Sequence, residues 1–132
     1  MARYVTDTHP LVWYARSKPK KLGRRARHAF EQAEAGKAVI YVPTVALVEV
    51  LELVRRGYIK LSFPPGQWVT ALLSEGGFMS ADLTTDVVLA GQGLYAIPER
   101  CDRLIAATAL ALRLPLITRD PAIAAVGIDV VW

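Results

Sequence analysis

DRLIAATALALRLPLITRDP, residues 102–121, decides the fold class. Residues 102–113 are a strongly helical run, and Pro-Leu-Ile-Thr at 115–118 is a short apolar strand. Asp120 before Pro121 reads as an N-cap with proline at the first helical position. Working outward, the same alternation recurs. Helices are expected at 84–94 and 66–75, with a weak strand at 78–82 between them. Residues 44–56 form a helix with Thr44 as its N-cap and Gly57 as its stop. Ala-Val-Ile-Tyr-Val at 38–42 is a buried-type strand ended by Pro43. A helix at 21–35 is closed by Gly36, and strands are expected at 3–6 and 128–131. Strands that alternate with helices predict an α/β fold: a parallel sheet with helices on both faces and right-handed connections.

The composition sets the outer bounds. At 132 residues, 53 % hydrophobic and 21 % charged, the chain fits one domain, 1–132, with a core of its own and is no disordered polymer. No apolar run approaches the length of a membrane span, and MARYVTDTHP lacks a secretory signal pattern. A single cysteine, Cys101, forms no internal disulfide. The expectation is a soluble cytoplasmic domain without a membrane partner.

The net charge of +4 is concentrated. Arg16, Lys18, Lys20, Lys21, Arg24, Arg25 and Arg27 crowd into residues 16–27 without an acid among them, leaving the rest of the chain mildly acidic. Such a stripe is either a solvated helix face or a surface that draws phosphate backbones by counterion release. The helix at 44–56 is unusual in another way. Val45, Ala46, Leu47, Val48, Val50, Leu51, Leu53 and Val54 cover most of its circumference, so it is internal or part of an interface, most simply that of a homodimer.

Four carboxylates need explaining. Asp7 and Asp120 follow strands, Asp102 opens a helix, and Glu49 lies inside the apolar helix. Taken singly, the three aspartates read as helix caps. Glu49 requires a cation or a donor, an arginine in the plainest case. Taken together, they say more. Ligands of open parallel sheets bind beyond the strands' carboxyl ends, where the strand order reverses. If the first strand is central and lies beside the strand before Asp120, these acids converge. Converging carboxylates need counter-charge, and Mg²⁺ or Mn²⁺ supplies it to hard oxygen ligands. His9 and His28 lie too far apart to suggest zinc, and no glycine-rich phosphate loop or nucleophile elbow is present. An acidic metal site beside a basic stripe suits hydrolysis of a phosphodiester.

These residues carry a family resemblance that runs from end to end. The sequence resembles the PIN-domain family, and within it the VapC-like toxins of type II toxin–antitoxin pairs. The matching stretches are DTHPLVWY at 7–14, Glu49 with Gly57 in VEVLELVRRG, DRLIAATALAL at 102–112, LPLITRDP at 114–121 and the ending at 130–132. The resemblance implies a doubly wound three-layer fold and a Mg²⁺- or Mn²⁺-dependent ribonuclease. By that likeness Asp7, Glu49, Asp102 and Asp120 form the acidic site, with Asp7, Asp102 and Asp120 nearest the metal and Glu49 acting through a water. Thr8 and Thr118 orient a carboxylate or water. Arg103 contacts RNA or pairs with a carboxylate, and Lys20, Lys21, Arg24 and Arg25 are the candidate RNA-binding cations. Homodimers silenced by an antitoxin are also implied, with the helix at 44–56 part of the groove or of the dimer interface.

The run IPERCDR departs from the family, where an aspartate usually precedes the helix aspartate by three residues. Here Glu99 stands there, and only a peripheral role is expected of it. Asp82, Asp86 and Asp129 read as surface or cap residues, and Trp13, Trp68 and Trp132 as core. Two other readings stand beside the nuclease toxin: a catalytically silent PIN-like domain that binds RNA or protein, and a DNA-directed nuclease. A phosphoacceptor signalling domain is disfavoured, because Asp7 lacks an acidic neighbour in sequence and no lysine follows Lys60.

Overall fold

A computed structural model describes all 132 residues. Its centre is β1 (Ala2–Thr6), which pairs in parallel with β2 (Ala38–Pro43) on one side and β4 (Leu116–Ile117) on the other. Beyond these lie β3 (Phe78–Ala81), against β2, and β5 (Val130–Val131), against β4. The five-stranded order is β3-β2-β1-β4-β5, and every pairing is parallel. Parallel neighbours cannot be joined by hairpins, so each connection crosses the sheet as helix. The crossovers are α1 (Thr8–Ala15) with α2 (Arg24–Glu34), then α3 (Thr44–Arg55) with α4 (Pro65–Ser74). They continue as α5 (Thr85–Ala90) with α6 (Arg100–Leu112), and finally α7 (Pro121–Ala125).

Side-chain alternation along the strands divides the core in two. Ile40, Val42, Ile117 and Val131 face a layer with Leu11, Phe30, Trp68 and Leu72 of α1, α2 and α4. Val5 and Leu116 face a layer with Val87, Ile105, Ala106, Ala109 and Ile123 of α5, α6 and α7. The helix layers thus sandwich the sheet, as the alternation of elements predicted. Ala106, Ala107 and Ala109 of α6 are fully buried or nearly so, and their small side chains let that helix approach its neighbours closely. Gly77 performs a similar service before β3: a methyl group there would overlap the backbone of Ala33 at the end of α2.

Several expected boundaries shift, for local reasons. The helix at 21–35 starts at Arg24, after a 3-10 turn at Pro19–Lys21, because Gly23 lies against the backbone and ring of Trp132. Thr44 is not an N-cap. Pro43 holds that position, and the Thr44 hydroxyl instead accepts the N–H of Leu83 at 3.2 Å. The helix at 84–94 is α5 followed by a 3-10 turn at Gly91–Gly93. Asp102 lies inside the first turn of α6, and Glu99 is the cap, its carboxylate accepting the Asp102 N–H at 2.7 Å. The strands at 115–118 and 128–131 shrink to two residues each. Helix α3 is not wholly internal: Val45, Ala46, Leu47 and Val50 are buried, whereas Val48 is 59 % and Leu51 38 % exposed. Of the tryptophans, Trp68 is core, and Trp13 and Trp132 are partly buried at its margin.

Candidate active site

The strand order reverses between β1 and β4, and the chain places acids at that point. Asp7 follows β1 and caps α1, its Oδ1 accepting the Thr8 N–H at 2.8 Å. Its Oδ2 accepts the Thr118 hydroxyl, from the end of β4, at 2.7 Å. Thr118 in turn accepts the Asp120 N–H at 3.1 Å, and Asp120 caps α7 through the Ala122 N–H at 2.9 Å. One buried threonine therefore ties together the carboxyl ends of two adjacent strands. Thr8 makes a second tie: its hydroxyl donates to Glu49 Oε1 at 2.6 Å, which joins α1 to α3. The partner that Glu49 needed inside an apolar helix is thus a hydroxyl, not an arginine.

The fourth element is the first turn of α6. Asp102 is there half-buried, beside Glu99 and Cys101. Burial pushes the Asp102 carboxyl up to about 7, and the negative fields of Asp7, Glu99, Asp120 and Glu49 add to the rise. Asp102 is thus within electrostatic reach of the other three expected acids and of Glu99. Burial also raises Asp7, against the lowering effect of the Thr118 and Thr8 hydrogen bonds and of His9. It raises Glu49 likewise, against the Thr8 bond and with help from Glu99 and Asp7. The Cys101 thiol is pushed up to about 11 by burial and by Glu49 and Glu99, so it is protonated at neutral pH.

No ion pair offsets this negative charge. The ion pairs of the chain are Arg27–Glu31, Arg55–Glu52 and Arg56–Glu52, all on the exposed surface and none at this edge. Donor atoms of Glu49, Glu99 and Cys101 lie within 4.8 Å of one another, close enough to share a cation. Sequence reasoning left Glu99 at the periphery and Cys101 out of the group altogether. A carboxylate three residues before an acidic helix position is the signal that would have found Glu99, since that is the N-cap spacing. Oxygen donors in excess, charge without a counter-ion and a neutral thiol suit a hard divalent cation better than zinc.

The candidate cations divide. Lys20, Lys21, Arg24 and Arg25 are all exposed. Arg24 and Arg25 line an open cavity with Tyr4, His28 and Trp132. Arg103 meets no carboxylate. It stacks 4.9 Å from the Tyr95 ring and donates to the Ile97 carbonyl at 3.3 Å.

The family model described as PIN domain matches residues 4–129. Among solved structures, a chain of the VapBC2 complex from Rickettsia felis, bound to a promoter DNA fragment, is similar with TM-score 0.73 and 18 % identity. The match covers 97 % of this chain and 96 % of that one. A toxin–antitoxin complex from Klebsiella pneumoniae has TM-score 0.65 and 23 % identity, over 98 % of this chain and 96 % of that one. DNA-bound VapBC from Salmonella typhimurium has TM-score 0.65 and 15 % identity, over 98 % and 97 %. No curated protein matches the chain in sequence.

Proposed function

The chain belongs to the PIN-domain family, and from that premise we propose that it is a metal-dependent endoribonuclease, the toxin of a toxin–antitoxin pair. The observation that carries this reading is the uncompensated acidic edge, where Asp102 is held up to about 7 by burial and by four other carboxylates. Such an arrangement is costly in isolation and is relieved by a bound cation. Asp7, Asp102 and Asp120 would hold Mg²⁺ or Mn²⁺, with Glu49 and Glu99 within reach. When bound, the metal polarises a phosphodiester and lowers the pKa of a water.

The chain's own residues do the rest. Thr118 fixes one Asp7 oxygen and the Thr8 N–H fixes the other, so the carboxylate cannot rotate. The Thr8 hydroxyl leaves Glu49 Oε2 free to accept a proton from an attacking water. As the new P–O bond forms, the bond to the leaving ribose oxygen breaks. Lys20, Lys21, Arg24 and Arg25 hold the polyanion by charge, and Arg103 offers its remaining N–H groups to a phosphate.

The partners in this reading are RNA, a second copy of the chain and an antitoxin. The solved complexes of similar fold include toxin–antitoxin assemblies, and the uncovered Val48 and Leu51 of α3 give a protein partner an apolar strip. No helix is long and apolar enough to cross a membrane, and we place the activity in the cytoplasm.

The test is cleavage of end-labelled structured RNAs by the chain freed of copurifying protein, with Mg²⁺, with Mn²⁺ and with EDTA. Cutting is expected with either metal and not with EDTA. Asp102→Asn is expected to lower it about 10³-fold, the equivalent of roughly 4 kcal/mol of lost stabilisation at the reacting phosphate. Cutting that survives EDTA and the substitution would overturn the proposal.

A further inference from the structure

A row of rings and cations leads away from the acidic edge, and neither the acids nor the basic stripe accounts for it. His9 lies two residues past Asp7, in the first turn of α1. One helical turn on, its ring is 5.9 Å from that of Trp13. Trp13 meets Trp132 edge-on at 6.0 Å. The Arg119 guanidinium lies over both indoles, 4.7 Å from Trp13 and 5.8 Å from Trp132, and the Lys21 ammonium approaches Trp13 at 5.7 Å. The row begins at the acidic edge and ends at the basic segment.

Arg119 is the informative member. It stands between Thr118, which binds Asp7, and Asp120, which caps α7. An exposed arginine beside so much negative charge would ordinarily fold onto a carboxylate, yet Arg119 makes no ion pair. The two indoles hold the guanidinium by cation–π contact and keep its charge available. Electrostatically this is a fixed positive site beside a negative one. A ligand served by both carries phosphate at regular intervals and flat rings between them. A single-stranded nucleic acid has that chemistry: its phosphates take the guanidinium edge, and its bases stack on the outer face of a guanidinium or on an indole.

We infer that Arg119, backed by Trp13 and Trp132 and continued by Lys21, seats a single RNA strand next to the acidic edge, so that Arg119 is a positioning residue for the bond to be cut. This rests on the ribonuclease reading for its substrate class, and on geometry alone for its path.

The experiment measures anisotropy of a fluorescein-labelled single-stranded 12-nucleotide RNA titrated with the full chain in EDTA, from about 50 to 200 mM KCl. Arg119→Ala is expected to weaken binding about 5- to 10-fold and to flatten the slope of log K against log salt by about 0.7, the loss of one phosphate contact on a single strand. Arg119→Lys keeps the slope and loses part of the affinity, because the charge stays and the planar stack goes. Lys37→Ala, an equal change in net charge at an exposed turn before β2, leaves slope and affinity as they were. An unchanged slope in Arg119→Ala, or no binding of the strand by the unsubstituted chain, overturns the inference. The same proteins are then given Mg²⁺. Failure to cut by all of them, with the Arg119 slope effect intact, would sink the ribonuclease reading and leave the strand path standing.

Discussion

Two charged regions of this molecule are built on opposite principles. At the carboxyl ends of β1 and β4 the fold gathers like charges in a half-buried edge, where burial and neighbouring carboxylates raise the proton affinity of Asp7 and Asp102. Along residues 16–27 the fold leaves Lys20, Lys21, Arg24 and Arg25 on the exposed surface, where water and salt separate them. The acidic edge is expected to be cooperative, because its members share hydrogen bonds through Thr8 and Thr118. The basic stripe is additive, each cation contributing its own share.

The sharpest way to break this contrast is Thr118→Val. It removes the hydroxyl that donates to Asp7 and accepts from the Asp120 N–H, without touching an acid. If the edge is cooperative, Mn²⁺ affinity by calorimetry falls about 10- to 100-fold, as for other residues that orient metal ligands. A change under about 2-fold would mean that the acids act singly, which is the behaviour assigned to the stripe.

A smaller effect concerns pH. The folded Asp102 carboxyl titrates at about 7, above its ordinary value of 3.8. Between those values the folded chain holds more protons at this site than the unfolded one, so the site's contribution to stability is fully present below about pH 4 and is lost as pH rises through about 7. Asp7 and Glu49 are raised too and act in the same direction. With metal absent, denaturant melts are expected to show a loss of about 1–2 kcal/mol from this edge between pH 5 and pH 8, after discounting a half-exposed carboxyl for screening. Asp102→Asn removes most of the loss, and saturating Mg²⁺ opposes it. Stability that rises over this range would contradict the assignment.

The smallest effect belongs to the stripe. Lys20→Ala and Arg24→Ala are each expected to weaken binding of a single-stranded RNA about 2- to 3-fold and to flatten its salt slope by about 0.7. The double substitution should give the product of the two within about 0.5 kcal/mol. A larger coupling would show that these cations, too, work as a unit.

The same contrast explains what was legible in the sequence. The helix at 102–113 and the strand at 38–42 announce themselves by apolar patterning, and Asp7 and Asp120 by following strands. The meeting of β1 with β4 could be framed as a condition from the carboxylates, and the pairing of Val5 with Leu116 meets it. Glu99 was noticed only as a departure from the family pattern, and the backbone shows its carboxylate closing on the Asp102 N–H. The Arg119 stack was invisible, because Trp13, Arg119 and Trp132 lie far apart in the chain and cation–π contact leaves no periodic trace. Periodicity reports on burial against a layer, and it is silent about contacts that tie a rim together.

The central place of β1 also bears on when the acidic edge can form during synthesis. Asp7 leaves the ribosome long before its fixing hydroxyl, on Thr118, which follows it by 111 residues. Pairing across so long a stretch of chain comes late in folding, since the loop must be closed before the contact rewards it. A nascent chain truncated before β4 has Asp7 and Glu49 but neither Thr118 nor Asp120. Its acidic edge lacks the tie that joins the carboxyl ends of β1 and β4.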